Sequence, residues 1–258
     1  MNHGIGYRVP KPDSRDYSAS RLIDGYGEVE PRGYADNSWQ TVEVLDQYSL
    51  GSCVLNGIME QIRALTMKER GLPGSPKGLP ALGSRLASYY FTRVVEGEEN
   101  QDNGCDPRTA MKSICKRGIL PESEWPYDIE KFAQCPSDLV LRNSYDQRAF
   151  EYSWIQTLGR TKIDDVKLLL DAGYQIGIGG QIGDEYGEWK PGEAPLTIPV
   201  NPYGGHYRVL EGYVGDVFRE LGSWGTGLGD NGRVEISAEY LAWTGTSTLL
   251  VIRRAPVI

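Results

Sequence analysis

DQYSLGSCVLNG, residues 46–57, places a glycine turn directly before a cysteine and an apolar run. A glycine-containing turn feeds Cys53 into a segment in which Leu55, Ile58, Met59, Ile62 and Leu65 recur at helical spacing, and Gly71 followed by Pro73 supplies the stop. The helix therefore opens at the cysteine. There, unpaired backbone N–H groups and the helix dipole favour a thiolate over a thiol, and the thiolate is the nucleophilic form. Gly51 allows another backbone to come close, and the amide of Gln47 is a candidate donor to an oxyanion. An isolated cysteine is usually a small buried hydrophobe, so the reading depends on what else the chain offers.

It offers one usable imidazole. The two histidines are His3, in a loose Gly- and Pro-broken start, and His206, in the glycine-led run GGHYRVLEGY at 204–213. A base for Cys53 must be His206. Four cysteines (Cys53, Cys105, Cys115 and Cys135) contain no CxxC pair, and two histidines cannot build a His-rich site, so neither a metal nor a cofactor is expected.

Outward from the cysteine, residues 84–95 read as a helix closed by Gly97. A better-signed helix has Asp106 as cap, Pro107 in its first turn, Ala110, Met111, Ile114 and Cys115 inward, and Gly118 after its end. Residues 72–80 form a Pro- and Gly-rich loop. A further helix fits 163–172, a strand 175–182, and after Pro202 short β-like runs punctuated by glycines end at 247–254. Helices gathered in the first half and strands in the second predict an α+β protein of two lobes with a cleft between them. Residues 1–40, poor in periodicity, read as an extended arm; 41–258 form the domain, its lobes dividing near 130–150.

Composition narrows the partners. The 258 residues carry 27 basic and 35 acidic side chains, net charge −8, with no basic cluster interleaved with aromatics, which argues against nucleic acid. No apolar run approaches the roughly 20 residues that span a bilayer, so no membrane is expected, and the start lacks the apolar core of a secretory signal.

The pieces DQYSLGSCVLNG (46–57), GCDPRTAMKSICKRGILPESEWPY (104–127), GGHYRVLEGY (204–213) and GSWGTGLGDNGRVEI (222–236) occur in the order, and cover the extent, of a papain-like cysteine peptidase, and the chain resembles the compact bacterial and bacteriophage members of that family. The resemblance implies the papain-like two-lobed fold, a helical N-terminal and a β-rich C-terminal lobe, a peptide or protein substrate, Cys53 as nucleophile, His206 as base, Gln47 with the Cys53 N–H as oxyanion hole, and Trp224 as the shield over the histidine. Cys53 is then expected to be the most reactive of the four thiols.

The chain departs from the family in three places. Gly222 stands where the family has the asparagine that orients the histidine, leaving Glu220 as the nearest substitute; restoring the asparagine is expected to raise the rate. Leu50 replaces a cysteine that in secreted relatives pairs with the position of Cys105, so that disulfide is lost, which suits a reducing compartment. The arm is shorter than the prodomain of secreted relatives. Two other readings accompany the peptidase: a weakly active or inactive papain-fold structural protein, such as a bacteriophage virion component assembling through Tyr7, Tyr17, Tyr26 and Tyr34 of the arm, and a cell-wall peptide amidase. The location expected is the cytoplasm or a phage particle.

Overall fold

A Gly- and Pro-broken start does not keep the first forty residues out of the fold. The computed structural model describes residues 3–25, 29–71, 79–138 and 150–255. Within the arm a short helix, α1 (Ser20–Asp24), and a short strand, β1 (Tyr34–Asp36), form, and β1 pairs antiparallel with residues Gly212 to Val214 further along the chain. Ala19 is fully buried and donates its N–H to the carbonyl of Trp154. These residues are thus integral to the sheet and its core rather than a free extension.

Three helices follow: α2 (Cys53–Arg70), α3 (Arg85–Glu96) and α4 (Pro107–Arg117). Their ends obey their caps. Ser84 accepts from the N–H of Ala87, and Gly97 closes α3 in the left-handed region at φ 74°. Asp106 accepts from the N–H groups of Arg108 and Thr109. The loop at 72–78 and most of the proposed division near 130–150 lie outside the described residues.

Beyond them come β2 (Phe150–Trp154), α5 (Gly159–Asp171), β3 (Ile176–Ile182), a single turn α6 (Glu185–Glu188), β4 (Gly204–Val214), β5 (Val217–Leu221), β6 (Arg233–Ser237), α7 (Ala238–Ala242) and β7 (Thr246–Arg254). The seven strands form one sheet in the order β2-β7-β3-β4-β5-β6, with β1 beside the far half of β4. This is the mixed, two-lobed arrangement expected from the sequence. One core surrounds α2 and joins α3 and α4; a second lies between α5 and the sheet, where Ile163, Val166, Leu169 and Leu170 meet Ile176, Ile178, Leu210 and Val251.

Tyr207 joins the lobes. Strand alternation sends it to the opposite face from its neighbour His206. Its ring lies so close to α2 that a Cβ on Gly57 would sit 2.6 Å from its Cδ1. Its hydroxyl donates to Gln61 Oε1 at 2.8 Å, and Gln61 in turn donates to the carbonyl of Leu250. The helix that begins at Cys53 is therefore clamped to the strand that carries His206. None of the described helices is long and apolar enough to cross a membrane.

Candidate active site

Cys53 is the first residue of α2 and is completely buried. Backbone N–H groups of Val54, Tyr207 and Gly6 favour its thiolate, yet burial outweighs them and pushes the thiol up to about 11. His206, in β4 opposite Gly180 of β3, is equally buried. Its imidazole is held well below its usual value, first by burial and then by the positive charges of Arg208 and His3. Neither ring nitrogen has a hydrogen-bond partner among the described residues. As the structure stands, the two groups are a neutral thiol and a neutral imidazole.

Gln47 is fixed from both ends of its amide. Its Oε1 accepts from the Ser223 hydroxyl at 2.6 Å, while its backbone N–H donates to the Ser223 carbonyl at 2.8 Å. That orientation leaves Nε2 to donate to the Leu50 carbonyl at 2.8 Å and to the Gly4 carbonyl at 3.0 Å. Ser223 sits beside the quoted Trp224, yet nothing in the sequence marks its hydroxyl as the group that sets the amide. Trp224 packs over His206 with ring centroids 4.9 Å apart, as the resemblance implies.

The Gly4 contact is part of a longer one. Residues 3–8 run through the cleft: His3 stacks on Trp224 at 5.0 Å, Gly4 donates to the carbonyl of Tyr48, and Gly6 accepts from the N–H of Cys105. Tyr7 donates its N–H to the Gly205 carbonyl beside His206. Its side chain fills a pocket against Gly179 and Tyr207, with its hydroxyl bonded to Ser247 and Thr248 at 2.8 and 2.7 Å. Arg8 then pairs with Glu98 and Glu96 at the cleft's end. Glycine is required along this path, because a Cβ on Gly6 would lie 1.7 Å from the Gly51 carbonyl oxygen. Of the arm tyrosines, Tyr7 is buried in the cleft, Tyr17 and Tyr34 are exposed, and Tyr26 lies outside the described residues. The buried state of Cys53 corrects its expected ranking among the thiols: Cys135, exposed, is the accessible one while the cleft is filled.

Two other expectations change. Glu220 makes no hydrogen bond to the histidine among the described residues; its Oε1 lies 2.9 Å from Arg208 Nε, both side chains fully buried, and its Oε2 is left without a partner. Gly222 is not an open position either. A Cβ there would lie 2.6 Å from Leu228 Cδ2 and 2.7 Å from the Tyr186 hydroxyl, so an asparagine fits only if those side chains shift. All four cysteines are free. A polar tie joins the loops that carry Leu50 and Cys105: the Gly51 N–H donates to Asp102, Tyr89 donates to the same carboxylate at 2.6 Å, and the Gly104 N–H donates to the Tyr89 hydroxyl.

No family model matches the chain. An uncharacterized peptidase C1-like protein of Acanthamoeba polyphaga mimivirus is 25% identical over 94% of this chain and 84% of its own length. Among solved structures, xylellain, a cysteine protease from Xylella fastidiosa, superposes with a TM-score of 0.80 at 26% identity, covering 99% of this chain and 97% of its own. Procathepsin L2 from the larval midgut of Tenebrio molitor gives 0.75 at 16% identity, over 98% and 78%.

Proposed function

From a chain that has the papain-like fold and whose relatives and structural neighbours are cysteine peptidases, we propose a cysteine peptidase held latent by its own amino-terminal arm. Cys53 attacks the carbonyl carbon of a peptide bond, and the oxyanion receives hydrogen bonds from Gln47 Nε2 and the Cys53 N–H. His206 takes the thiol proton and returns it to the leaving amine; water then hydrolyses the thioester. The observation that carries this reading is the Gly4 carbonyl on Gln47 Nε2: a backbone carbonyl already occupies the donor that a substrate's oxygen needs, with peptide chain lying across Cys53. The near-complete coverage of xylellain supports grouping the chain with compact bacterial members.

The test uses a peptide carrying an epoxide warhead on the chain with its arm displaced by Gly6→Val. The adduct is expected on Cys53 and absent in Cys53→Ala. Turnover of a peptide substrate should vanish in Cys53→Ala and fall about a hundredfold or less in Gln47→Ala. Hydrolysis retained in Cys53→Ala would sink the mechanism; a well-folded, arm-displaced chain without turnover would leave the fold serving another role.

A further inference from the structure

Position 222 carries no side chain, yet the space beside it is filled. Tyr186, from the single-turn α6 that follows β3, brings its hydroxyl to within 2.7 Å of where a Cβ on Gly222 would stand. Its ring meets His206 edge to face, centroids 5.5 Å apart at 66°, and Trp224 packs on both rings, at 4.9 Å from His206 and 5.1 Å from Tyr186. Ile182, Leu228 and Val234 surround Tyr186 as an apolar cluster. The three rings thus form one group in which Tyr186 and His206 are buried and Trp224 is half-buried.

Inside that group the polar atoms are unmatched. Among the described residues the Tyr186 hydroxyl is buried without a hydrogen-bond partner, and so are both ring nitrogens of His206. A buried hydroxyl left unpaired keeps its full desolvation cost, so unpartnered groups in one ring cluster call for an explanation. Catalytic hydrogen bonds are often long before substrate binds and tighten in the productive complex. Glu220 places one carboxylate oxygen on Arg208 and leaves Oε2 without a partner among the described residues, and it makes no hydrogen bond to His206.

We propose that the Tyr186 hydroxyl is the positioning group for the His206 imidazole, standing in the place of the side chain that Gly222 lacks. The proposal rests on the reading of His206 as the base. The hydroxyl accepts from one ring N–H, which leaves the other ring nitrogen unprotonated to receive the Cys53 proton; it fixes the tautomer without touching substrate. Tyr186 therefore acts through His206, and the glycine at 222 is what makes room for it.

Nuclear magnetic resonance of ring-labelled histidine tests this directly, since only two histidines are present and His3→Ala assigns the signals. The full-length protein is expected to hold His206 in one predominant neutral tautomer, and Tyr186→Phe, which keeps the packing ring, to redistribute it. An unchanged tautomer balance in Tyr186→Phe overturns the proposal. With the arm displaced by Gly6→Val, Tyr186→Phe should lower kcat on the order of tenfold or more at constant KM. Tyr186→Ala/Gly222→Asn should recover part of what Tyr186→Ala alone loses, and equal rates for those two variants also count against the proposal. Absence of turnover in every variant refutes the peptidase reading alone, because the tautomer measurement decides the positioning role without it.

Discussion

Arg208, two residues from His206 on β4, and Glu220 of the neighbouring β5 form a fully buried pair. Two charges so placed gain little net stability over apolar residues of similar size, but removing one partner strands the other. Glu220→Leu is expected to cost about 3 to 5 kcal/mol in urea unfolding, and Arg208→Met/Glu220→Leu to recover most of it. Equal stability of the single and double variants would show that Arg208 finds another partner. At this scale the sequence offered candidates by scarcity: one cysteine at a helix start, one histidine outside the arm, one glutamine before the turn. The structure buries Cys53 and His206 and ties Gln47 to Ser223, the neighbour of the Trp224 that packs on His206. Ser223 and Tyr186 escaped notice because a serine in a turn and a tyrosine in a short loop helix carry no spacing signal; only the fold brings Tyr186 against Gly222.

The helices were legible where side chains cap them, as at Ser84 and Asp106, and where a left-handed glycine closes one, as at Gly97, because a cap is a local interaction written in adjacent residues. The arm was not, since β1 exists only through pairing with β4, and residues 3–8 are held by backbone bonds to the cleft. Their glycines mark backbones in near contact. Gly6→Val places a side chain into the Gly51 carbonyl, which backbone cannot yield. The expected outcome is release of this segment with the rest of the fold intact: Cys53 becomes alkylated by iodoacetamide, whereas in the unaltered chain exposed Cys135 is labelled and Cys53 is spared. Losing the buried Tyr7 ring should cost about 1.5 to 3 kcal/mol. Peptide mapping that finds Cys53 equally protected in Gly6→Val would refute the blocking role.

Across the whole molecule, the arm does two separable things, and truncation distinguishes them. Residues 3–8 cover the cleft, while Asp16 pairs with Arg108, Ala19 enters the core and β1 extends the sheet. Deleting residues 1–8 should therefore open the site without unfolding the protein, whereas deleting 1–36 should lower Tm by removing core and sheet contacts. The pH dependence of labelling follows from burial. With the cleft covered, Cys53 titrates near 11, so at pH 7 almost none is thiolate, and its alkylation rate should climb as pH rises toward that value. His206, depressed by burial and by neighbouring positive charge including that of His3, is neutral over the same range and gives the thiolate no cationic partner. Removing residues 1–8 admits water and takes away His3, so the imidazole moves up, the thiol moves down, and an ion pair becomes accessible between them. The labelling profile of the truncated chain should shift toward acid and show a reactive thiol at neutral pH. Identical Cys53 profiles for the intact and 1–8-deleted chains, both folded by near-ultraviolet circular dichroism, would mean that the low reactivity belongs to the site itself and not to the segment lying across it.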